Sequence, residues 1–329
     1  MLEIQDLRTY YFTPEGFVKA VDGVSLKVAK AETIGIVGES GCGKTTLAYS
    51  ILKLLPPAGK IVDGHIYYDG RDLIALKEDE MKKIRWKEIS MIFQGAMDAF
   101  NPVIKVGRQI EEAIRIHETI SKALIMKRIE ELFELVNLEK KCIDNFPYEL
   151  SGGMRQRAMI AMALACHPRL LIADEPTTAL DVTVQLQILN LLKRLKSSLN
   201  LSVIFITHNL SVIAEICDKL GVMYAGHLVE YGEVTSIFAR PLHPYTKGLL
   251  EAIITMSKTK EKTLFSISGV LPDLLNPPPG CRFYARCPLS RPICKKELPP
   301  IKLVNGTNVA CHFLDKIKEI SGKELYKCT

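Results

Sequence analysis

The sequence predicts an α/β fold built around a phosphate-binding loop, and three observations predict it. The strand-like run Thr33-Ile-Gly-Ile-Val37 leads into Gly38-Glu-Ser-Gly-Cys-Gly-Lys-Thr45 and then into the helix-like run Thr46–Leu52. That is the strand–loop–helix setting a Gly-x-x-x-x-Gly-Lys-Thr motif requires. A second apolar run, Leu170–Ala173, ends in two carboxylates, Asp174 and Glu175. Between and around these runs, strand-like and helix-like segments alternate as far as residue 235.

The elements follow in order. Met1–Leu7, Val18–Val28 and Thr33–Val37 are short apolar runs separated by turns, and they read as strands, several of them antiparallel. A further strand covers Gly64–Tyr68 and stops at the Asp69-Gly70 turn. Asn101-Pro102 marks a boundary, after which Val106–Leu138 turns helical. Ile110, Ala113, Ile114 and His117 share one face there, and Ile125, Ile129, Leu132 and Val136 another. Strands return at Leu170–Ala173 and Ser202–Thr207, with a helix over Val184–Leu199 between them, and a last pair, Lys219–Tyr224 and His227–Tyr231, turns at Ala225-Gly226. From residue 236 the texture changes to His243-Pro-Tyr245, Pro277-Pro-Pro279 and a cysteine cluster, which reads as an appendage.

The loop carries the first chemistry. Gly38, Gly41 and Gly43 allow backbone conformations that a Cβ would block, so successive N–H groups can turn toward phosphate oxygens. The helix behind the loop aims its positive end at the same place. Lys44 can reach the β- and γ-phosphates, and the Thr45 hydroxyl can ligate Mg²⁺. The chain is therefore expected to bind a nucleoside triphosphate. Cys42 sits inside the loop near Lys44 and a helix N-terminus, both of which favour a thiolate, so it is expected to be reactive.

Asp174 and Glu175 supply the second half. At the end of one strand, neighbouring side chains point to opposite faces, so Asp174 is expected to hold Mg²⁺ while Glu175 polarises the attacking water. Leu150-Ser-Gly-Gly-Met-Arg-Gln-Arg157 then opens a helix with Ser151 as its N-cap, and Gly152 and Gly153 bare backbone N–H groups for an anion. A second anion-binding helix start suggests service to a nucleotide held by another subunit.

Composition bounds the rest. At 329 residues, 47% hydrophobic and 24% charged, the chain is globular and long enough for a main domain with appendages. The net charge of +6 is mild and argues for neither a nucleic-acid nor a membrane-surface role. No apolar run approaches the roughly 20 residues of a spanning helix, and the N-terminus lacks a basic region followed by an apolar stretch, so a soluble, cytosolic chain is expected. Four of the nine cysteines fall within residues 281–311, which suggests a metal site rather than disulfides.

Leu150-Ser-Gly-Gly153, the loop at 38–45 and Asp174-Glu175-Pro176 together resemble the ATP-binding subunits of ABC transporters, over nearly the whole chain. The resemblance matches the family's glutamine loop to Gln94, its D-loop to Ala179-Leu180-Asp181 and its switch histidine to His208. The adenine-stacking aromatic falls at Tyr11, with Tyr10 and Phe12 close rivals. The fold implied is a P-loop NTPase: a RecA-like α/β core with an antiparallel β subdomain over 1–95 and 156–235, a helical subdomain with the signature motif over 96–155, and a small Cys-rich extension over 236–329. The nucleotide site implied comprises Tyr11, Gly38, Glu39, Ser40, Gly41, Cys42, Gly43, Lys44, Thr45, Thr46, Gln94 and Asp174, with Ser151, Gly152, Gly153 and Asp181 serving across a subunit interface. Mg²⁺ would be held by Thr45, Gln94 and Asp174, with Glu175, His208, Gln94 and Lys44 as the catalytic set. Asn101-Pro102, Ser151–Arg157, His243-Pro-Tyr-Thr246 and the cysteine-bearing tail narrow the resemblance to dipeptide and oligopeptide importers.

That resemblance implies an ATPase at the cytoplasmic face of the membrane. Its expected partners are a second, homologous ATP-binding subunit in a heterodimer, two integral permease subunits and an extracytoplasmic binding protein, with no nucleic acid. Nickel or oligosaccharide uptake and a soluble ABC-type ATPase are the alternatives, and the last is disfavoured because neither a long coiled-coil insertion nor a second cassette is present. Three departures stand out: Cys42 where Ser is usual, Gly95 where Asp or Glu is commoner, and Asn209 where Asp is commoner.

Cys281, Cys287, Cys294 and Cys311 are separated by five, six and sixteen residues, looser than the Cys-x-x-Cys pairs of zinc sites. Four thiolates satisfy either Zn²⁺ or a [4Fe–4S] cluster. The wide intervals and the resemblance favour the cluster, in a structural or docking role.

Overall fold

The computed structural model describes residues 1–95, 99–258 and 266–317. Its strands, in chain order, are β1 (Leu2–Thr13), β2 (Gly16–Val28), β3 (Thr33–Val37), β4 (Gly59–Tyr68), β5 (Arg71–Asp72) and β6 (Ile89–Ile92). They continue with β7 (Leu170–Asp174), β8 (Ser202–Ile206), β9 (Lys219–Tyr224), β10 (His227–Glu233), β11 (Ile301–Val304) and β12 (Thr307–Ala310). The chain divides into two compact units. One holds Met1–Val28, Ile34–Ile74 and the described residues from Thr207 onward; the other holds Ala29–Thr33 and Ala75–Ile206.

In the first unit an antiparallel sheet runs β2-β1-β4-β5. Leu2, Ile4, Leu7 and Thr9 of β1 are buried, a sequence of inward positions that skips a beat after Ile4. The skip is a bulge: the β1–β2 register breaks between Ile4 and Leu7, and Asp6 takes a φ of 46°. One extra residue there returns the following apolar side chains to the core. Gly64 of β4 accommodates it, since a Cβ at that position would lie 2.5 Å from the Asp6 carbonyl oxygen. The same unit contains β3 parallel to β9, β9 antiparallel to β10, and β10 antiparallel to β12.

The tail is stitched to this unit rather than hung from it. β11 and β12 form a hairpin around Asn305 and Gly306, whose φ angles of 50° and 80° are those of an Asn-Gly turn. Glu230 of β10 pairs with Val309 of β12. The buried Glu230 carboxylate also accepts the backbone N–H groups of Leu242 (2.7 Å) and His243 (3.0 Å), pinning the start of the helix Pro244–Lys258.

The second unit holds β6, β7 and β8 in parallel. Every residue of the three strands is buried, which is why Leu170–Ala173 of β7 and Val203–Ile206 of β8 read as continuous apolar runs rather than as alternations. The unit's longer α-helices among the described residues are Val106–His117, Lys122–Leu135, Gly152–Ala163 and Val182–Leu199. The helical stretch expected over Val106–Leu138 is two helices, because Ser121 caps the second by accepting the Leu124 N–H. Arg128 and Glu118 tie the ends together across the break at 2.9 Å. The helix Glu78–Ile84 and strand β6 have no counterpart in the sequence reading.

Candidate active site

The first unit builds the phosphate loop. Buried β3 delivers the chain to Gly38, and the helix Lys44–Leu52 receives it with Gly43 as N-cap. Gly38 has a φ of 155° and Gly43 of 103°, and added Cβ atoms would lie 2.2 Å from the Met223 carbonyl oxygen and 2.0 Å from that of Ala20. Neither position admits another residue. No side chain caps this helix, so its first N–H groups remain available to an anion. The Lys44 ammonium is held by the carbonyl oxygens of Gly38 (2.8 Å) and Glu39 (3.0 Å), which fixes it against the loop it serves.

Cys42 departs from expectation. Its side chain is fully buried, with Lys44 Nζ 3.7 Å from the sulfur. Burial pushes the thiol up, outweighing the ammonium that draws it down. The loop therefore holds a protonated, enclosed thiol rather than a reactive thiolate.

Of the three aromatic candidates, Tyr11 lies beside the loop: its hydroxyl is 3.1 Å from Thr46 Oγ1, and its ring packs on Gly59. Tyr10 donates to Asp22 at 2.7 Å, and Phe12 is paired edge-on with Phe17. His208 is exposed at the end of a segment anchored in this unit, where the Thr207 N–H donates to the carbonyl of Ile36 on β3. Asn209 caps the next helix by accepting the Ser211 N–H, a role in which Asn serves as well as Asp.

The second unit carries the carboxylates. Asp174 is fully buried and ends β7. Glu175 lies outside the strand with a φ of 46°. Its separation from Asp174 therefore comes from a left-handed backbone kink, not from strand alternation as expected. Such kinks concentrate at working sites because the surroundings must hold them. Here the Glu175 N–H donates to the Ile206 carbonyl at 2.9 Å, and its carboxylate accepts from Thr178 Oγ1 (2.8 Å) and from Gln94 Nε2 (3.3 Å). Thr178 is a partner the sequence reading lacked.

The signature segment is in the same unit. Ser151 caps the helix Gly152–Ala163 by accepting the Met154 N–H at 3.3 Å, as expected from its position. Gly153 has a packing reason to be glycine, because a Cβ there would lie 2.8 Å from Val184 Cγ1. Asp181 caps the helix that bears Val184, so signature and D-loop residues are packed together.

The tail brings its four cysteines to one place. Cys281, Cys287, Cys294 and Cys311 line a common cavity with His243, Phe283 and His312. Burial pushes Cys281 up to about 11 and Cys287 up to about 12, and the neighbouring thiols add to the shift. Among the described residues, no three His, Cys, Asp or Glu side chains are grouped to hold a metal ion. The expected zinc or iron–sulfur site therefore has a shared cavity but no preformed ligand cage.

The chain is similar to known proteins over most of its length. The family described as "ABC transporter" matches residues 21–178, and the one described as "Oligopeptide/dipeptide transporter, C-terminal region" matches residues 229–294. The chain is 49% identical over 311 residues to the oligopeptide transport ATP-binding protein OppD of Bacillus subtilis, covering 94% of this chain and 87% of that protein. It is 43% identical over 319 residues to the dipeptide transport ATP-binding protein DppD of Caldanaerobacter subterraneus, covering 96% and 98%. Among solved structures, a dimeric ATP-binding cassette in a post-hydrolysis state with ADP and phosphate superposes with a TM-score of 0.64 at 29% identity, over 71% of this chain and 99% of that one. With its phosphate loop, its Asp174-Glu175 pair and its signature helix, the chain belongs to the ATP-binding subunits of ABC transporters.

Proposed function

We propose that this chain is the ATP-hydrolysing subunit of an importer for dipeptides or oligopeptides, working at the cytoplasmic face of the membrane. The observation that carries the ATPase reading is the loop at 38–45, with its uncapped helix start and its restrained Lys44. The peptide reading rests on the names of the relatives and on the tail they share.

The donor set fits the nucleotide and its metal. Thr45, Gln94 and Asp174 offer a hydroxyl, an amide and a carboxylate oxygen, the hard ligands that Mg²⁺ prefers. When bound, Mg²⁺ neutralises charge on the phosphate oxygens. The loop N–H groups and Lys44 bind and orient the phosphates, while Tyr11 receives the adenine. Glu175 orients the attacking water and draws on its proton, and Gln94 and Thr178 fix the carboxylate that does so. His208 contacts the γ-phosphate. Ser151, Gly152, Gly153 and Asp181 act on the nucleotide of a second, homologous subunit in a heterodimer. In domain terms, residues 1–95 and 156–235 form the ATP-binding core, 96–155 the helical subdomain that engages two permease subunits, and 236–329 the extension; an extracytoplasmic binding protein supplies the peptide.

The four tail cysteines form the site of a [4Fe–4S] cluster in this reading. Their shared cavity and Cys₄ donor set support it. Iron and sulfide at about four per chain, with broad visible absorption, are expected in an anaerobic preparation, and stoichiometric zinc without iron refutes it. The function as a whole is tested by reconstituting the chain with the permease and companion subunit products of its neighbouring genes. ATP hydrolysis stimulated by peptide-loaded binding protein is the expected result.

A further inference from the structure

Glu39, the second residue of the phosphate loop, carries a carboxylate where the loop is built to receive a polyanion. Left alone it would repel the ligand. It is not left alone, because the tail grips it. Arg286 Nη1 lies 3.0 and 2.9 Å from the two Glu39 carboxylate oxygens. The Glu39 N–H donates to the buried Tyr245 hydroxyl at 3.0 Å, and its carbonyl accepts from Lys44.

Arg286 is itself held from every side. Its Nε donates to the Ser268 carbonyl at 2.9 Å, its Nη2 to that of Ile267 at 3.1 Å, and its Nη1 also reaches the Tyr224 hydroxyl at 3.2 Å. The guanidinium lies 5.7 Å from the Tyr224 ring centroid, and the side chain is only 7% exposed. A guanidinium so constrained and shielded keeps its charge and its place, which makes its bond to a carboxylate strong.

We propose that Arg286 is a positioning residue for the nucleotide: through Glu39 it holds the phosphate loop in its binding shape and cancels the carboxylate charge beside the phosphates. The tail is thereby a working part of the ATP site. The physical need is plain, since a loop with glycines at 38, 41 and 43 has large conformational freedom to lose. Restraint from Arg286 and Tyr245 removes much of that loss before the ligand arrives. The inference rests on reading the loop as an ATP cradle.

The test uses the full-length chain, with a fluorescent ATP analogue in Mg²⁺ buffer and thermal unfolding without nucleotide measured in parallel. Arg286→Gln is expected to weaken analogue binding roughly tenfold or more, the effect of about 1.4 kcal/mol. Arg286→Lys is expected to recover part of it. Glu39→Gln combined with Arg286→Gln is expected to bind no worse than Arg286→Gln alone, because the uncompensated carboxylate is gone. In the assembled transporter the KM for ATP rises while kcat holds. Unchanged affinity in Arg286→Gln, or a loss explained wholly by a smaller folded fraction, overturns the proposal. A wild-type chain that binds no analogue at all instead overturns the ATP reading of the loop, a separate and recognisable result.

Discussion

At the level of single residues, geometry divides the ionisable groups into those poised for chemistry and those taken out of it. Glu175 is poised, bound by Thr178 and Gln94 on a kinked backbone. Glu175→Gln is expected to retain ATP binding while hydrolysis falls by about two orders of magnitude or more, measured with the companion subunits present. Near-normal turnover would remove Glu175 from its role. Cys42 is taken out, its thiol enclosed and pushed up by burial. Cys42→Ser is therefore expected to leave ATPase activity within about twofold, and native alkylation followed by mass spectrometry should find Cys42 unmodified until the protein is denatured. Rapid native labelling would contradict the buried thiol.

Elements place these residues, and two of them invite tests. Gly43 ends the loop at a φ of 103° with the Ala20 carbonyl where a Cβ would stand. Gly43→Ala is expected to abolish nucleotide binding and to destabilise the chain by about 1–3 kcal/mol, read as a lower midpoint in denaturant. The start of the helix Pro244–Lys258 is governed by buried titratable groups. His243 is 1% exposed, and burial lowers it to about 3 from its ordinary 6.5. A depressed imidazole adds stability above the unfolded value that drains away as pH falls from about 6.5 toward 3. Glu230 runs the other way: burial raises it to about 7 from 4.5, outweighing its bonds to Thr246 and to the N–H groups of Leu242 and His243, so its contribution is full below pH 4.5 and lost as pH rises through 7. His243→Asn, which keeps an acceptor for the Tyr245 N–H, is expected to flatten the fall of Tm between pH 6.5 and 5. An unchanged slope would exclude His243 as its source.

For the molecule as a whole, a signature helix and a phosphate loop in one chain suit a sandwich of two subunits with nucleotide between them. The Glu175→Gln chain with MgATP is expected to remain a monomer alone and to form a one-to-one dimer when mixed with the homologous companion subunit, seen by light scattering. A stable homodimer of this chain would overturn the heterodimer proposal. The tail enters at this scale too, since β12 pairs with β10 and Arg286 grips Glu39. Removing residues beyond 236 is not a neutral truncation. It strips one edge from a sheet and a restraint from the nucleotide loop.

The sequence by itself determined what is local. A phosphate loop is written in consecutive residues because its function lies in its own backbone, and buried parallel strands announce themselves as unbroken apolar runs. Ser151 was legible as a helix cap for the same reason: the cap and the N–H groups it serves are neighbours in the chain. The Asn305-Gly306 turn was equally legible and went unread. Tertiary structure decided everything that depends on residues far apart in sequence. Burial of Cys42 follows from how the loop packs, and no spacing rule foretells that desolvation will outweigh a lysine two residues away. The kink at Glu175 is held by Ile206 and Thr178, not by its own propensity. The bond from Arg286 to Glu39 spans 247 residues. Such contacts are set by the meeting of whole elements, and a one-dimensional pattern carries no term for them.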